Sequence, residues 1–266
     1  MSNLLDQTFQ RLAGRKALIP FITAGYPKPE LTVDILHCLV DNGADVIELG
    51  MPFSDPMADG PVIQKASEQA IKQGTNLKQT LEMVAEFRQS NQSTPIVLMG
   101  YLNPVESMGY DAFVEQAAQA GVQAVLLVDS PPEESAALQQ QLNSRQLQQI
   151  FLVAPTTSAR RKQRIIEMAQ GFIYYVALKG VTGAADLDSE TVNTAVKTLK
   201  NDTELPVAVG FGVKDATSAV AVAEQADAVV IGSALIKTLT GCHDKDTACQ
   251  QVADFISPIR QALDSL

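Results

Sequence analysis

Asp45-Val46-Ile47-Glu48-Leu49-Gly50-Met51-Pro52-Phe53-Ser54-Asp55-Pro56-Met57-Ala58-Asp59-Gly60-Pro61 is the stretch on which the fold turns. Val46, Ile47 and Leu49 make a short apolar run of the kind found in a parallel strand buried on both faces. Glu48 interrupts it near its downstream end. Removing a carboxylate from water costs roughly several kcal/mol unless something compensates. The second half crowds Pro, Ser, Asp and Gly together, so it is a loop, and it carries two more acids, Asp55 and Asp59. A strand that ends in an acid and opens into an acid-bearing loop is where α/β enzymes place their chemistry.

The same rhythm extends in both directions. Leu4, Leu5, Thr8, Phe9 and Leu12 recur at helical spacing and predict a short leading helix. Strands are expected at 17–22, 46–49, 95–101, 124–128, 150–154, 172–177, 206–209 and 228–231. Helices are expected at about 30–41, 62–73, 77–90, 110–120, 133–143, 159–170, 189–199 and 215–225, with more to the C-terminus. Strands alternating with helices imply a parallel sheet, and eight such units imply an α/β fold of the (β/α)8 TIM-barrel type with extra N-terminal and loop helices. A doubly wound open sheet competes less well, because no G-x-G-x-x-G follows the first strand. With no linker or composition shift, residues 1–266 are expected to form a single domain.

Composition narrows the function. With 20 basic and 30 acidic residues the formal net charge is −10, which argues against nucleic acid as a partner. An anionic ligand must then be held by local backbone dipoles. No run of about 18 apolar residues suggests a membrane span, and the N-terminus lacks the pattern of a secretion signal. Cys38, Cys242 and Cys249 show no C-x-x-C spacing. They are expected to be reduced and structural rather than metal ligands, which would make the chain cytoplasmic.

In a barrel the reacting groups come from the downstream strand ends and the loops that follow. Those ends supply Phe21, Glu48, Asp59, Tyr101, Asp129 and Tyr174, then Gly180-Val181-Thr182-Gly183, Gly210-Phe211-Gly212 and Gly232-Ser233. Glycines at consecutive strand ends let backbone N–H groups approach a phosphate closely, and Ser233 could open a short helix facing it. Glu48 reads either as a structural acid paired to a base or as a catalytic acid whose pKa is raised by an apolar barrel mouth. Asp59 reads equally as a turn former, a helix cap or a catalytic group, while Asp55 reads as turn-forming. The three aromatics read as core filling or as the walls of a flat apolar pocket. Lys179, after the sixth strand, could form a Schiff base with a carbonyl substrate. The residues alone thus point to a metal-free barrel enzyme using carboxylates on a phosphorylated, partly aromatic substrate.

Glu48 through Pro61 resembles the signature of the tryptophan synthase alpha-subunit family. Pro20-Phe21-Ile22-Thr23-Ala24-Gly25-Tyr26-Pro27, Gly180-Val181-Thr182-Gly183, Gly210-Phe211-Gly212 and Gly232-Ser233-Ala234 resemble it in the same order. The resemblance implies a carbon–carbon lyase of tryptophan biosynthesis that splits indole-3-glycerol phosphate into indole and glyceraldehyde 3-phosphate. By it, Glu48 is the proton shuttle and Asp59 faces the indole N–H. Phe21, Tyr101 and Tyr174 line the indole pocket, and Gly183, Gly212, Gly232 and Ser233 hold the phosphate. Thr182 sits on a loop that closes over Asp59. It also implies no cofactor in this chain and an alpha2-beta2 assembly with a beta subunit that carries pyridoxal phosphate. At Ala177-Leu178-Lys179 the sequence departs from the Ser, Thr or Arg of that pattern. Two competing readings are a Schiff-base aldolase built on Lys179 and a non-catalytic activator of a beta subunit.

Overall fold

The computed structural model describes residues 3–177, 189–210 and 212–266. Helix α1 (Leu4–Leu12) leads into β1 (Ala17–Thr23), α2 (Thr32–Asp41), β2 (Ile47–Gly50), α3 (Pro61–Lys72) and α4 (Leu77–Arg88). Then come β3 (Ile96–Gly100), α5 (Leu102–Met108), α6 (Tyr110–Ala120), β4 (Ala124–Leu127), α7 (Ala136–Ser144), β5 (Gln148–Val153) and α8 (Ala159–Met168). The chain continues through β6 (Ile173–Val176), α9 (Ser189–Lys200), β7 (Val207–Gly210), α10 (Ala216–Ala223), β8 (Ala228–Ile231), α11 (Ser233–Thr238) and α12 (Lys245–Asp264). All neighbouring strands pair in parallel, and β8 returns to β1, so the sheet is the closed eight-stranded barrel expected.

Period-two alternation divides the apolar residues into two layers. Ala17, Ile19, Val46, Val97, Leu126, Ile150 and Ala208 fill the barrel interior. Leu18, Ile22, Ile47, Leu49, Leu98 and Val209 face the surrounding helices. Helix α1 closes the bottom of the interior with Leu5, Phe9 and Leu12, the Phe9 ring lying 5.9 Å from that of Phe172. Asn3 caps that helix by accepting the Leu5 N–H at 2.8 Å, and its amide donates to the carbonyls of Gln123 and Gln146. The leading helix is thereby the floor of the barrel, leaving the downstream strand ends open for a site.

Three expectations need correcting. The sequence 102–108, to which no element is assigned from pattern alone, is helix α5. Pro104 in its first turn sits where no N–H is needed, and Asp129 accepts the Leu102 N–H at 2.7 Å. Strand β5 begins two residues earlier than expected, at Gln148. Gln148 and Gln149 pair with Ala124 and Val125 on β4, and their polar side chains conceal a strand that backbone pairing creates. The third correction concerns the thiols. Cys38 and Cys249 are disulfide-bonded, with Cα atoms 5.5 Å apart; Cys242 alone is free. Residues so distant in sequence meet only because α2 and α12 pack together, and local spacing does not register that. Among the described residues no helix is long and apolar enough to cross a membrane.

Candidate active site

Register builds the site. Glu48 on β2 lies between Phe21 on β1 and Val97 on β3, and shares the inner face with Val46 because the two are separated by one residue. Glu48 is wholly buried, and neither carboxyl oxygen has a hydrogen-bond partner among the described residues. Burial pushes its pKa up to about 8. Desolvation penalises only the charged form, so the group is a neutral acid at pH 7. The sequence alternative of a paired structural acid is therefore set aside: no basic side chain reaches it among the described residues.

Asp59 approaches from the loop between β2 and α3. Its carboxylate accepts the Tyr101 hydroxyl at 3.1 Å, and that hydroxyl accepts the Ala58 N–H at 3.0 Å. Asp59 does not cap α3, whose N-cap is Gly60. Burial raises the Asp59 pKa and the Tyr101 bond opposes the rise. Phe53 packs on the same tyrosine, with ring centroids 5.2 Å apart. Asp55 is exposed on the loop, and its carbonyl accepts the Met57 N–H in a tight turn.

The aromatics occupy places that glycines keep open. A side-chain carbon on Gly50 would lie 2.7 Å from the Phe21 ring, and one on Gly232 would lie 3.2 Å from it. Phe21 thus spans from the acid-bearing strand β2 to the end of β8. A side-chain carbon on Gly210 would collide with the Tyr174 hydroxyl. Burial raises the Tyr174 pKa well above its usual range, and the negative charges of Glu48 and Asp59 add to the rise. That phenol therefore remains neutral.

Phe21, Asp59 and Tyr101 wall a narrow recess together with Thr23, Met51, Ile63, Ser67 and Met99. Glu48 lies one layer beneath, under Gly50. Sequence reasoning missed Thr23, although it follows Phe21 by two residues and so shares its face. It also missed Ile63 and Ser67, which are four apart on α3 and present one helical face. Gly212, with φ of +82°, and Gly232 and Ser233, at the start of α11, follow β7 and β8. Their strands adjoin β6 and β1, which carry Tyr174 and Phe21. Lys179, Thr182 and Gly183 lie outside the described residues. An open depression along α8, lined by Arg160, Arg161 and Arg164, contains none of the expected site residues. Among the described residues no group of three or more His, Cys, Asp or Glu side chains could hold a metal ion.

Known proteins agree with this architecture. The sequence matches the family described as tryptophan synthase alpha chain over residues 9–264. The tryptophan synthase alpha chain of Chromobacterium violaceum is 54% identical over 255 residues, covering 96% of this chain and 97% of that one. That of Laribacter hongkongensis is 55% identical over 265 residues, covering 99% and 100%. The crystal structure of tryptophan synthase subunit alpha from Legionella pneumophila superposes with a TM-score of 0.91 at 42% identity, covering all of both chains. A chain of the tryptophan synthase complex from Pyrococcus furiosus superposes with a TM-score of 0.81 at 34% identity, covering 91% of this chain and 97% of that one. With near-complete coverage at such identities, and the same closed eight-stranded barrel, the chain belongs to the tryptophan synthase alpha chain family.

Proposed function

We propose that the chain is a lyase that cleaves indole-3-glycerol phosphate to indole and glyceraldehyde 3-phosphate by retro-aldol chemistry. The observation that carries this reading is Glu48: a wholly buried carboxyl, without a partner among the described residues, that burial keeps protonated up to about pH 8. Cleavage at indole C3 begins with protonation of that carbon. Glu48 donates the proton, and positive charge appears on the ring nitrogen. Asp59 stabilises that charge, an electrostatic contribution of about 3 to 4 kcal/mol at preorganised sites. The ionised Glu48 then takes the proton of the hydroxyl on the carbon attached to C3. As that oxygen becomes the aldehyde carbonyl, the C–C bond breaks and its electrons return to the ring. Glu48 ends as it began, and every step is a proton transfer or the bond cleavage itself, so the chain's own chemistry calls for no cofactor.

In this reading Phe21, Tyr101 and Tyr174 flank the indole. Gly183, Gly212, Gly232 and Ser233 hold the phosphate, and Thr182 belongs to a loop that excludes water over Asp59. Residues 1–266 act as one unit. The partner is a tryptophan synthase beta subunit, in an alpha2-beta2 tetramer, and pyridoxal phosphate belongs to that subunit. The compartment is the cytoplasm, where a charged phosphate ester that does not cross membranes is retained.

The test is to supply indole-3-glycerol phosphate to the purified chain, with and without a beta subunit, and to measure indole. Indole release that Glu48→Gln and Asp59→Asn abolish supports the reading. No release under either condition refutes it. Covalent trapping of Lys179 by borohydride in the presence of substrate would replace it with Schiff-base chemistry.

A further inference from the structure

The barrel closes where its first and last strands meet, from Ala17 opposite Ala228 to Pro20 opposite Ile231. Outside that seam α2 and α12 lie side by side. Lys245 Nζ reaches Asp34 at 2.7 Å, Ser257 Oγ donates to Asn42 at 2.7 Å, and Arg260 Nη1 reaches Asp45 at 2.9 Å. Residue numbers climb together along both partners, so the two segments run in the same direction. Cys38 and Cys249 belong to this ladder, each four residues, or one helical turn, beyond Asp34 and Lys245. Their Cα atoms are 5.5 Å apart and they are bonded, a separation in the middle of the range that disulfides require. Both are half-buried, in contrast to the fully covered residues of the barrel wall. Cys242 stands apart, buried, its Sγ 3.9 Å from the Thr238 carbonyl.

We propose that Cys38 and Cys249 are a reversible thiol–disulfide clasp across the β1/β8 seam, closed and opened by exchange with a low-molecular-weight disulfide and its thiol. Closure proceeds in two displacements. One cysteine thiolate attacks the small disulfide, forming a mixed disulfide and releasing one small thiol. The second cysteine thiolate then attacks the protein sulfur of that mixed disulfide and releases the other. The two cysteines together lose two electrons and two protons, and the small disulfide gains them as two thiols. The closed clasp joins residues separated by 211 positions. Restraint of the unfolded chain grows with the length of the loop closed, so this bond has close to the largest effect available in a chain of this size. Neither sulfur belongs to the recess that holds Asp59 and Tyr101, so the clasp acts on the persistence of the barrel rather than on the reacting groups. The inference stands on the helix pairing alone and does not depend on the reaction proposed above.

The experiment equilibrates the full chain with glutathione disulfide or with dithiothreitol, alkylates it in denaturant with N-ethylmaleimide, and measures intact mass and peptides. After glutathione disulfide, one alkylation at Cys242 and a linked Cys38–Cys249 peptide are expected; after dithiothreitol, three alkylations. Urea unfolding should show the oxidised midpoint about 1 M above the reduced one. The C38S/C249S double variant should unfold at the same midpoint after either treatment. Three alkylations after glutathione disulfide, glutathione adducts on Cys38 or Cys249 with no internal bond, or identical midpoints for the oxidised and reduced natural chain would each overturn the proposal. The last comparison needs no variant, so it holds even if the double substitution folds poorly.

Discussion

The Tyr101 hydroxyl donates to Asp59 at 3.1 Å while accepting the Ala58 N–H at 3.0 Å. One residue at the end of β3 therefore fixes both the backbone and the carboxylate of a loop that belongs to β2. Tyr101 is almost fully buried, and Phe53 packs on its ring, so the phenol is itself held from two sides. A loop acid gains the precision of a strand residue by this arrangement.

Tyr101→Phe should remove that restraint while leaving the ring. A hydrogen bond to a charged group is worth about 1.5–3 kcal/mol, so a loss of roughly tenfold to a hundredfold in kcat/KM for indole formation is expected. Because the bond lowers the Asp59 pKa, its removal raises that pKa further. The acidic limb of the pH–rate profile should then move to higher pH. An unmoved limb would show that the tyrosine does not govern this carboxylate.

Glu48→Gln keeps the shape and removes the transferable proton. Loss of a positioned proton donor commonly lowers turnover by about 10²–10⁴-fold, and a drop smaller than tenfold would exclude Glu48 from the chemistry. In the natural chain, activity should fall as pH rises past about 8, where the acid ionises.

The same group makes a stability prediction. Its pKa is raised in the fold, from 4.5 to about 8, so the native state binds the proton more tightly than the unfolded chain does. Its contribution is fully present below the unfolded value and declines as pH rises through this interval, by on the order of 1.4 kcal/mol per unit. Urea unfolding from pH 5 to 9 should show the natural chain losing stability relative to Glu48→Gln until about pH 8, then running parallel. Parallel curves throughout would mean the buried acid is already ionised in the fold.

Gly50→Ala tests the packing of Phe21. The added carbon would meet the ring at 2.7 Å and the Ile22 carbonyl oxygen at 3.3 Å, so ring or backbone must shift. Overpacking of this kind costs about 1–3 kcal/mol. Binding should suffer as well, seen as a rise in KM for indole-3-glycerol phosphate of about tenfold, since the ring forms a wall of the recess. A variant with native stability and KM would remove Phe21 from the binding surface.

Arg88 offers a control remote from the acids. Its guanidinium donates to the carbonyls of Gly121, Asn91 and Thr94 and to the Gln123 side chain, and burial lowers its pKa to about 10. Arg88→Ala leaves several buried acceptors unpaired, and a loss of about 3 kcal/mol in urea unfolding is expected. Turnover per folded molecule should be unchanged. A selective loss of turnover at full stability would contradict this structural assignment.

Much of the molecule was legible from local pattern. Apolar runs such as Val207-Ala208-Val209 and Ala228-Val229-Val230-Ile231 declare buried parallel strands because both of their faces are covered. Helix α5 and the start of β5 were not legible. The helix begins with a cap supplied by Asp129 from another strand's end, and the strand begins with glutamines that backbone pairing recruits. The open choice at Asp59 between helix cap and reacting group lay beyond local reading for the same reason.

By itself the sequence determined the period: eight apolar runs separated by amphipathic helices, with Glu48 in the second and glycines after the seventh and eighth. That information is local, because burial on one face or two is written in the spacing of neighbouring residues. Tertiary structure alone decided that Glu48 has no partner among the described residues, that Tyr101 holds Asp59, and that Cys38 meets Cys249. Each of these is a contact, or an unpaired polar group, among segments that are apart in sequence and meet only in the folded barrel. Desolvation, pairing and covalent reach depend on which groups share a volume, and that is set when the strands and helices pack.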